Sequence, residues 1–115
     1  MKKTVFEKPQ FVEGLTLRVA PELVEKYMQV EEDIWIEDLF TCPGFIGGEV
    51  WVSDDKKGEV TSLYFWESEE AYEAASNSEF GRIHKQRSME AMESEFVKAW
   101  HGEDRRYRVK KFERD

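Results

Sequence analysis

The sequence has little cysteine and histidine and no long apolar run. Its 115 residues include a single cysteine, Cys42, and two histidines. One cysteine cannot form an internal disulfide, which agrees with a reducing compartment, and these three side chains are too few for a usual protein-only zinc site. No run of about 18 apolar residues occurs, so we expect no membrane span. The start, MKKTVFEKPQ, lacks the apolar region of a signal peptide, and the sequence predicts a cytoplasmic protein.

Several common catalytic and nucleotide-binding patterns are also absent. The chain has no phosphate-binding loop, no dinucleotide fingerprint and no Ser–His–Asp order. Its net charge of −8, from 25 acidic and 17 basic residues, repels phosphate backbones, so we expect no nucleic-acid partner. Basic residues cluster near Arg82 and between Arg105 and Lys111. We expect them to pair with neighbouring acidic helices; a local anion site is the alternative.

The apolar and aromatic residues of the chain are sufficient for the hydrophobic core of one domain. It is 40% hydrophobic and 14% aromatic, and its length fits a single domain. Residues 1–10 predict an irregular N-terminal arm with Pro9 near its end, and residues 11–112 predict the domain. Pro21 opens a predicted helix that runs to Phe40, because an apolar stripe follows at helical spacing.

Alternating side chains predict the strands. In FVEGLTLRV one side of the strand carries Phe11, Glu13, Leu15, Leu17 and Val19. FIGGEVWV and EVTSLYFW predict a hairpin around SDDKKG. The second of these strands is apolar on both faces, which predicts cover on both sides.

The last part of the chain predicts two helices and a strand. Ser68 can cap a short helix, and a longer helix is expected from about Asn77 to Trp100, ended by Gly102. The basic segment RYRVKKF predicts the last strand.

The order of elements predicts an α+β fold of the ferredoxin-like split βαβ type. Its four-stranded antiparallel sheet carries the helices on one face. The other face keeps large apolar side chains, and a chain of this length has nothing left to cover them. We therefore expect a homodimer that packs through this sheet face.

Three segments carry a resemblance to a known family. DIWIEDLFTCPGFIGGEVWV, LYFWESEEAY and YRVKKF resemble the antibiotic-biosynthesis-monooxygenase-like proteins of the dimeric α+β barrel superfamily, and more closely a small, mainly cyanobacterial group of uncharacterised members. The resemblance covers roughly residues 11–112 and implies the barrel-forming dimer. It leaves the activity open, because the superfamily includes cofactor-independent monooxygenases, haem-degrading enzymes, isomerases and proteins with no known reaction.

The haem-degrading branch of the superfamily draws attention to His84. There a similar W-E-S-E segment precedes N-S-D and a helix whose histidine ligates haem iron. Here WESE is followed by Asn77-Ser78-Glu79, which places His84 at the ligand position. The tryptophan that this branch places beside the haem falls on Ala75, and its first-strand asparagine has no counterpart. The resemblance thus implies no obligatory cofactor, with haem as the alternative.

Two main functional hypotheses follow, and the chain alone does not decide between them. The first is a cofactor-independent monooxygenase that binds a small aromatic or apolar substrate in an apolar pocket, with His84 as proton acceptor or donor. The predicted pocket walls are Trp35, Trp51, Tyr64, Trp66, Tyr72 and Phe80. The second is a non-catalytic dimer that binds a small apolar ligand or haem. A third hypothesis is a stress-related or regulatory protein with no ligand. At strand and helix spacing the same aromatic residues also serve as ordinary core.

Overall fold

The architecture is a four-stranded antiparallel sheet with helices packed on one face. The computed structural model describes residues 1–92 and 97–115, and within them the side chains of all residues except 34, 35, 88, 89, 91, 92 and 97–102. The strands are β1 (Lys2–Val19), β2 (Phe45–Val52), β3 (Glu59–Trp66) and β4 (Val97–Glu113), in the order β2-β3-β1-β4. The helices are α1 (Val24–Glu31), α2 (Glu37–Leu39), α3 (Glu69–Ser76) and α4 (Glu79–Met92). The predicted ferredoxin-like α+β fold is confirmed.

The register of the sheet assigns each side chain to a face. Residues directly opposite each other on neighbouring strands share a face. Phe11 lies opposite Trp66, and Glu13 lies opposite both Tyr64 on β3 and Arg105 on β4. This face packs against the helices and is called the helix-covered face. Its reverse is called the open face; its described members include Val12, Thr16, Trp51, Thr61, Leu63 and Phe65.

Two buried clusters fill the space between the sheet and the helices. One joins Leu17, Val19, Tyr27 and Val60. The other joins Phe11, Leu39, Tyr64 and Trp66, and partly buried residues of α3 and α4 pack against it. The side chains come from β1, β3 and the first helical region, so strand alternation and helical periodicity together produce the core.

The connection between β1 and β2 is helical over nearly the span that the sequence predicts, but it is not uniform. A 3₁₀ turn at Pro21–Leu23 leads into α1, and a π-helical segment at Glu32–Ile36 separates α1 from α2. A π turn holds about one residue more than an α turn. The extra residue places Leu39, rather than Asp38, on the buried side that Tyr27 and Glu31 already occupy.

The first ten residues differ from the irregular arm that the sequence predicts. Lys2 to Gln10 belong to β1, and Lys2 to Val5 pair with Lys110 to Glu113 of β4. The ladder shifts register between Val5 and Gln10, which accommodates Pro9 and its missing N–H. The predicted irregular conformation is therefore wrong. The pairing with β3 does start at Phe11, and the division into an arm and an 11–112 domain stays a prediction.

The end of the long helix is also corrected. The described part of α4 runs from Glu79 to Met92, and the predicted helical residues 93–96 lie outside the described part of the structure. Residues 97–102, predicted to finish and stop that helix, belong to β4. Val97, Ala99 and Trp100 pair with Val19, Arg18 and Leu17. The backbone groups in the inner half of β1 need hydrogen-bond partners, because each unpaired backbone group inside a protein is costly. This requirement outweighs the local helical pattern.

The clustered basic residues pair in part with neighbouring acidic helices, as the sequence predicts. Arg87 binds Asp38 of α2 at 3.0 Å, and Arg105 binds Glu69 of α3 at 2.7 Å. Arg106 instead binds Asp104 of its own strand at 2.7 Å. Ser68 caps α3 as predicted, since its Oγ accepts a hydrogen bond from the backbone N–H of Ala71 at 3.1 Å. Within the described ranges, no helix is long and apolar enough to cross a membrane.

Candidate ligand-binding site

A cavity of about 700 Å³ lies between the helix-covered face and the helices. Its floor consists of Glu13, Leu15 and Leu17 of β1 together with Tyr64 and Trp66 of β3. These five residues alternate along their strands, so the two-residue period of a strand brings all of them to the same surface. The cavity is within the size range of small-molecule sites.

The aromatic side chains on the cavity pack tightly against one another. Trp66 is 2% exposed and meets the ring of Tyr72 at 5.8 Å between centroids and an angle of 81°. Tyr72 also packs on Phe11 at 4.8 Å. Such edge and tilted contacts fix the rings in place. The indole Nε1 of Trp66 is buried and meets no hydrogen-bond acceptor among the described residues.

Helix α4 brings Phe80 and His84 to the same cavity. They are four residues apart, and their rings lie 5.4 Å apart between centroids. Burial lowers the pKa of His84; nearby Asp38 opposes this shift, and the positive charge of Arg87 adds to it. The imidazole is therefore neutral at physiological pH, the form that can accept a proton.

Two of the predicted pocket tryptophans are not placed on this cavity. Trp51 lies opposite Thr61 on the open face, is 61% exposed and donates its indole N–H to Glu49 at 3.0 Å. The prediction that it lines the pocket is wrong, because the register of β2 turns this position away from the helices. The side chain of Trp35 lies outside the described part of the structure.

Glu13 is a cavity residue that the sequence reasoning did not single out. The hydroxyl of Tyr72 donates a hydrogen bond to its Oε2 at 3.1 Å. Burial and the nearby negative charge of Glu103 raise the pKa of Glu13 to about 7, against the hydrogen bond from Tyr72 and the charge of Arg105. Its position among Phe11, Leu15 and Leu17 was the available signal, since a carboxylate on an apolar strand face must be accommodated in the interior.

A second buried carboxyl lies behind Tyr64. Glu31 is 0% exposed, and its Oε1 accepts a hydrogen bond from the Tyr64 hydroxyl at 2.9 Å. Burial raises the pKa of Glu31, although hydrogen bonds from Ser62 and Tyr64 oppose the shift. Its Oε2 has no partner among the described residues. The signal in the sequence was its spacing, four residues after Tyr27 on the buried side of α1.

The fold and the partly open, aromatic-lined cavity define a small α+β protein with a pocket of ligand size. The family model for antibiotic biosynthesis monooxygenase matches residues 11–86, more than half of the chain. The chain therefore belongs to the antibiotic biosynthesis monooxygenase family. No curated protein matches the sequence. Proteins with this fold are commonly dimeric.

Solved structures agree on the fold. A protein from Shewanella oneidensis is 17% identical, with 94% of this chain and 98% of that chain covered and a TM-score of 0.64. A monooxygenase from the gene ActVA-Orf6 of Streptomyces coelicolor, in complex with nanaomycin D, is 21% identical, with 88% and 87% covered and a TM-score of 0.63. A conserved protein from Methanosarcina mazei is 16% identical, with 87% and 93% covered and a TM-score of 0.61.

Proposed function

We propose that the protein is a cofactor-independent monooxygenase that oxidises a small aromatic substrate in the cavity on the helix-covered face. The observation that carries the proposal is the meeting of aromatic walls and a half-buried, neutral imidazole, that of His84, on one cavity. Membership of the family and the likeness to a monooxygenase of Streptomyces coelicolor support it.

The chemistry requires little beyond these groups. A phenol that loses a proton becomes electron-rich enough to react with oxygen. The overall change is phenol plus O₂ to quinone plus water: one oxygen atom enters the ring, and the other leaves as water with the two hydrogens that the ring carbon and the hydroxyl give up. His84 is the proposed acceptor of the proton from the ring carbon. The apolar walls exclude water and hold the ring.

Oxygen consumption tests the proposal. We expect purified protein to consume oxygen with some members of a panel of phenols and naphthols, and His84→Ala to lower the rate by about 10²–10⁴-fold, as is typical for the loss of a positioned base. The matched control is Gln86→Ala, two residues further along α4, where the side chain is exposed and the rate should be unchanged.

The same preparation separates the alternatives. An absorbance spectrum and a mass spectrum of the fresh protein would reveal a co-purified ligand. A Soret band that is lost in His84→Ala would favour haem binding. Tight binding of an aromatic ligand without oxygen consumption would favour the non-catalytic dimer, and either result would contradict the monooxygenase.

We also propose that the protein is a homodimer that packs through the open face. Trp51 is 61% exposed there, and Leu63 and Phe65 are half-buried, with Arg108 stacked 4.8 Å from the Phe65 ring. A second copy would remove this apolar surface from water. The predicted cytoplasmic location, which the free thiol of Cys42 suits, belongs to this proposal as well.

Sedimentation at micromolar concentration should give about twice the chain mass of 13.7 kDa. Trp51→Lys should shift the protein towards monomer, because a charge would enter the apolar contact. Ile83→Lys is the control: this residue is 39% exposed on α4, away from the open face. A monomeric wild type, or a dimer that Trp51→Lys leaves intact, would contradict the proposed contact.

A further inference from the structure

We propose that Glu13, held in place by Tyr72, is a second proton acceptor in the cavity and binds the hydroxyl of the aromatic ligand. The inference rests on the proposed function, since it assumes that the cavity takes an aromatic ligand. It adds a second proton acceptor beside His84. Oxidation of a phenol to a quinone releases two hydrogens, one from carbon and one from oxygen, and His84 accounts for one of them.

The position of Glu13 suits this role. It lies on the cavity floor between Tyr64 of β3 and Arg105 of β4, with which it is in register. Tyr72 of α3 donates to Oε2 at 3.1 Å and thereby fixes the carboxyl in place. The Tyr72 ring is itself held by Phe11 and Trp66, so the pair is preorganised at the aromatic wall.

The nearby cations do not fully neutralise Glu13. Arg105 is the charged residue directly opposite on β4, but its guanidinium binds Glu69 at 2.7 Å and Glu73 at 3.8 Å. It also lies over the Tyr72 ring, 5.7 Å from the centroid. Glu103 of β4 adds a negative charge on the cavity. Among the described residues, the other titratable groups on the cavity wall are Tyr27 of α1, Tyr64 of β3, and Arg82, His84 and Lys85 of α4.

These surroundings make Glu13 a better proton acceptor than an ordinary carboxylate. Its pKa of about 7 means that it is ionised at slightly alkaline pH and yet binds a proton firmly. The pKa of Tyr72 is raised to about 12 by burial and by the negative charge of Glu13, so Tyr72 stays a hydrogen-bond donor over the working range. A ligand hydroxyl that donates to ionised Glu13 forms a charge-assisted hydrogen bond, which is roughly twice as strong as a neutral one.

The probe for this pair is 2-naphthol, with 2-methoxynaphthalene as the matched compound that has no hydroxyl to donate. Fluorescence titration should show 2-naphthol binding about tenfold more tightly at about pH 8 than at about pH 6, with the change centred near the pKa of Glu13. Glu13→Gln should remove this pH step and weaken binding at the higher pH. 2-Methoxynaphthalene should bind with the same affinity at both pH values and in both proteins.

Two further variants keep Glu13 and move the midpoint in opposite directions. Tyr72→Phe removes a hydrogen bond that favours the carboxylate, so the midpoint should rise. Glu103→Gln removes a repulsive negative charge, so the midpoint should fall. Tyr107→Phe is the control, because this exposed tyrosine donates to Glu69 at 3.0 Å and should leave the midpoint in place.

The outcomes separate this inference from the proposed function. If both naphthalenes bind without a pH step, or if the step survives Glu13→Gln, the proposed role of Glu13 is contradicted. The proposal that the cavity binds an aromatic ligand is not affected by that result. If neither naphthalene binds the wild-type protein, both this inference and the proposed function are overturned. A midpoint that Tyr72→Phe and Glu103→Gln shift in the same direction would also overturn the inference.

Discussion

Replacing Trp66 with alanine is expected to lower the free energy of unfolding by about 3–5 kcal/mol. The side chain is 2% exposed and belongs to the buried cluster with Phe11, Leu39 and Tyr64. Its ring also meets Phe45 at 5.1 Å and 68°. Alanine would leave those rings without contacts on one side, and the space would join the existing cavity rather than collapse.

Urea unfolding followed by circular dichroism measures this effect. The matched control is Trp51→Ala, which removes a tryptophan that is 61% exposed and should change the free energy of unfolding by less than about 0.5 kcal/mol in the monomer. The two variants are compared at a concentration where the protein is monomeric. If Trp66→Ala and Trp51→Ala lose similar amounts of unfolding free energy, the ring of Trp66 does not stabilise the core.

The second large effect concerns the pH dependence of stability through Glu31. Its pKa is raised in the folded protein by burial, so the folded state holds a proton that the unfolded chain releases. The stabilisation by the protonated carboxyl is fully present below the ordinary pKa of 4.5 and is lost as the pH rises through the folded value. Within that window one such group changes the free energy of unfolding by up to about 1.4 kcal/mol per pH unit.

Glu31→Gln should remove this contribution, because glutamine keeps an oxygen acceptor for Tyr64 and cannot ionise. The difference in unfolding free energy between the variant and the wild type should therefore grow in favour of the variant as the pH rises. Glu32→Gln, at the exposed neighbouring residue, is the control and should show no such trend. A constant difference between Glu31→Gln and the wild type across the window would contradict the assignment.

For β1 and β3 the sequence predicted correctly which face a strand residue occupies, because the two-residue period of a strand decides the face there. The alternation in β1 and β3 predicted the faces of Leu63 and Tyr64, and the register places them accordingly. The sequence did not predict structure that depends on pairing with a distant strand. Residues 97–100 include none that forbids a helix, yet they complete the ladder with the inner half of β1. The π-helical segment at Glu32–Ile36 has no sequence signature of its own.

The candidate site shows the same division. Tyr64, Trp66, Tyr72, Phe80 and His84, all proposed from the sequence, line one cavity in the structure. Glu13 and Glu31 were counted with the other acidic residues of a highly charged chain. Their importance depends on burial, and burial of a charged group is a property of the assembled sheet and helices rather than of local spacing. Trp51 was misplaced because its face depends on how β2 aligns with β3.

The position of β4 at an edge of the sheet has a consequence for self-association. An edge strand presents unpaired backbone groups that can recruit the same strand of another molecule. In β4, five of the seven residues from Arg105 to Lys111 are basic. Two such strands laid side by side would bring like charges together along their length. We therefore expect concentrated protein to resist growth into continuous sheets or fibrils through this edge, even where the open face is free to pair.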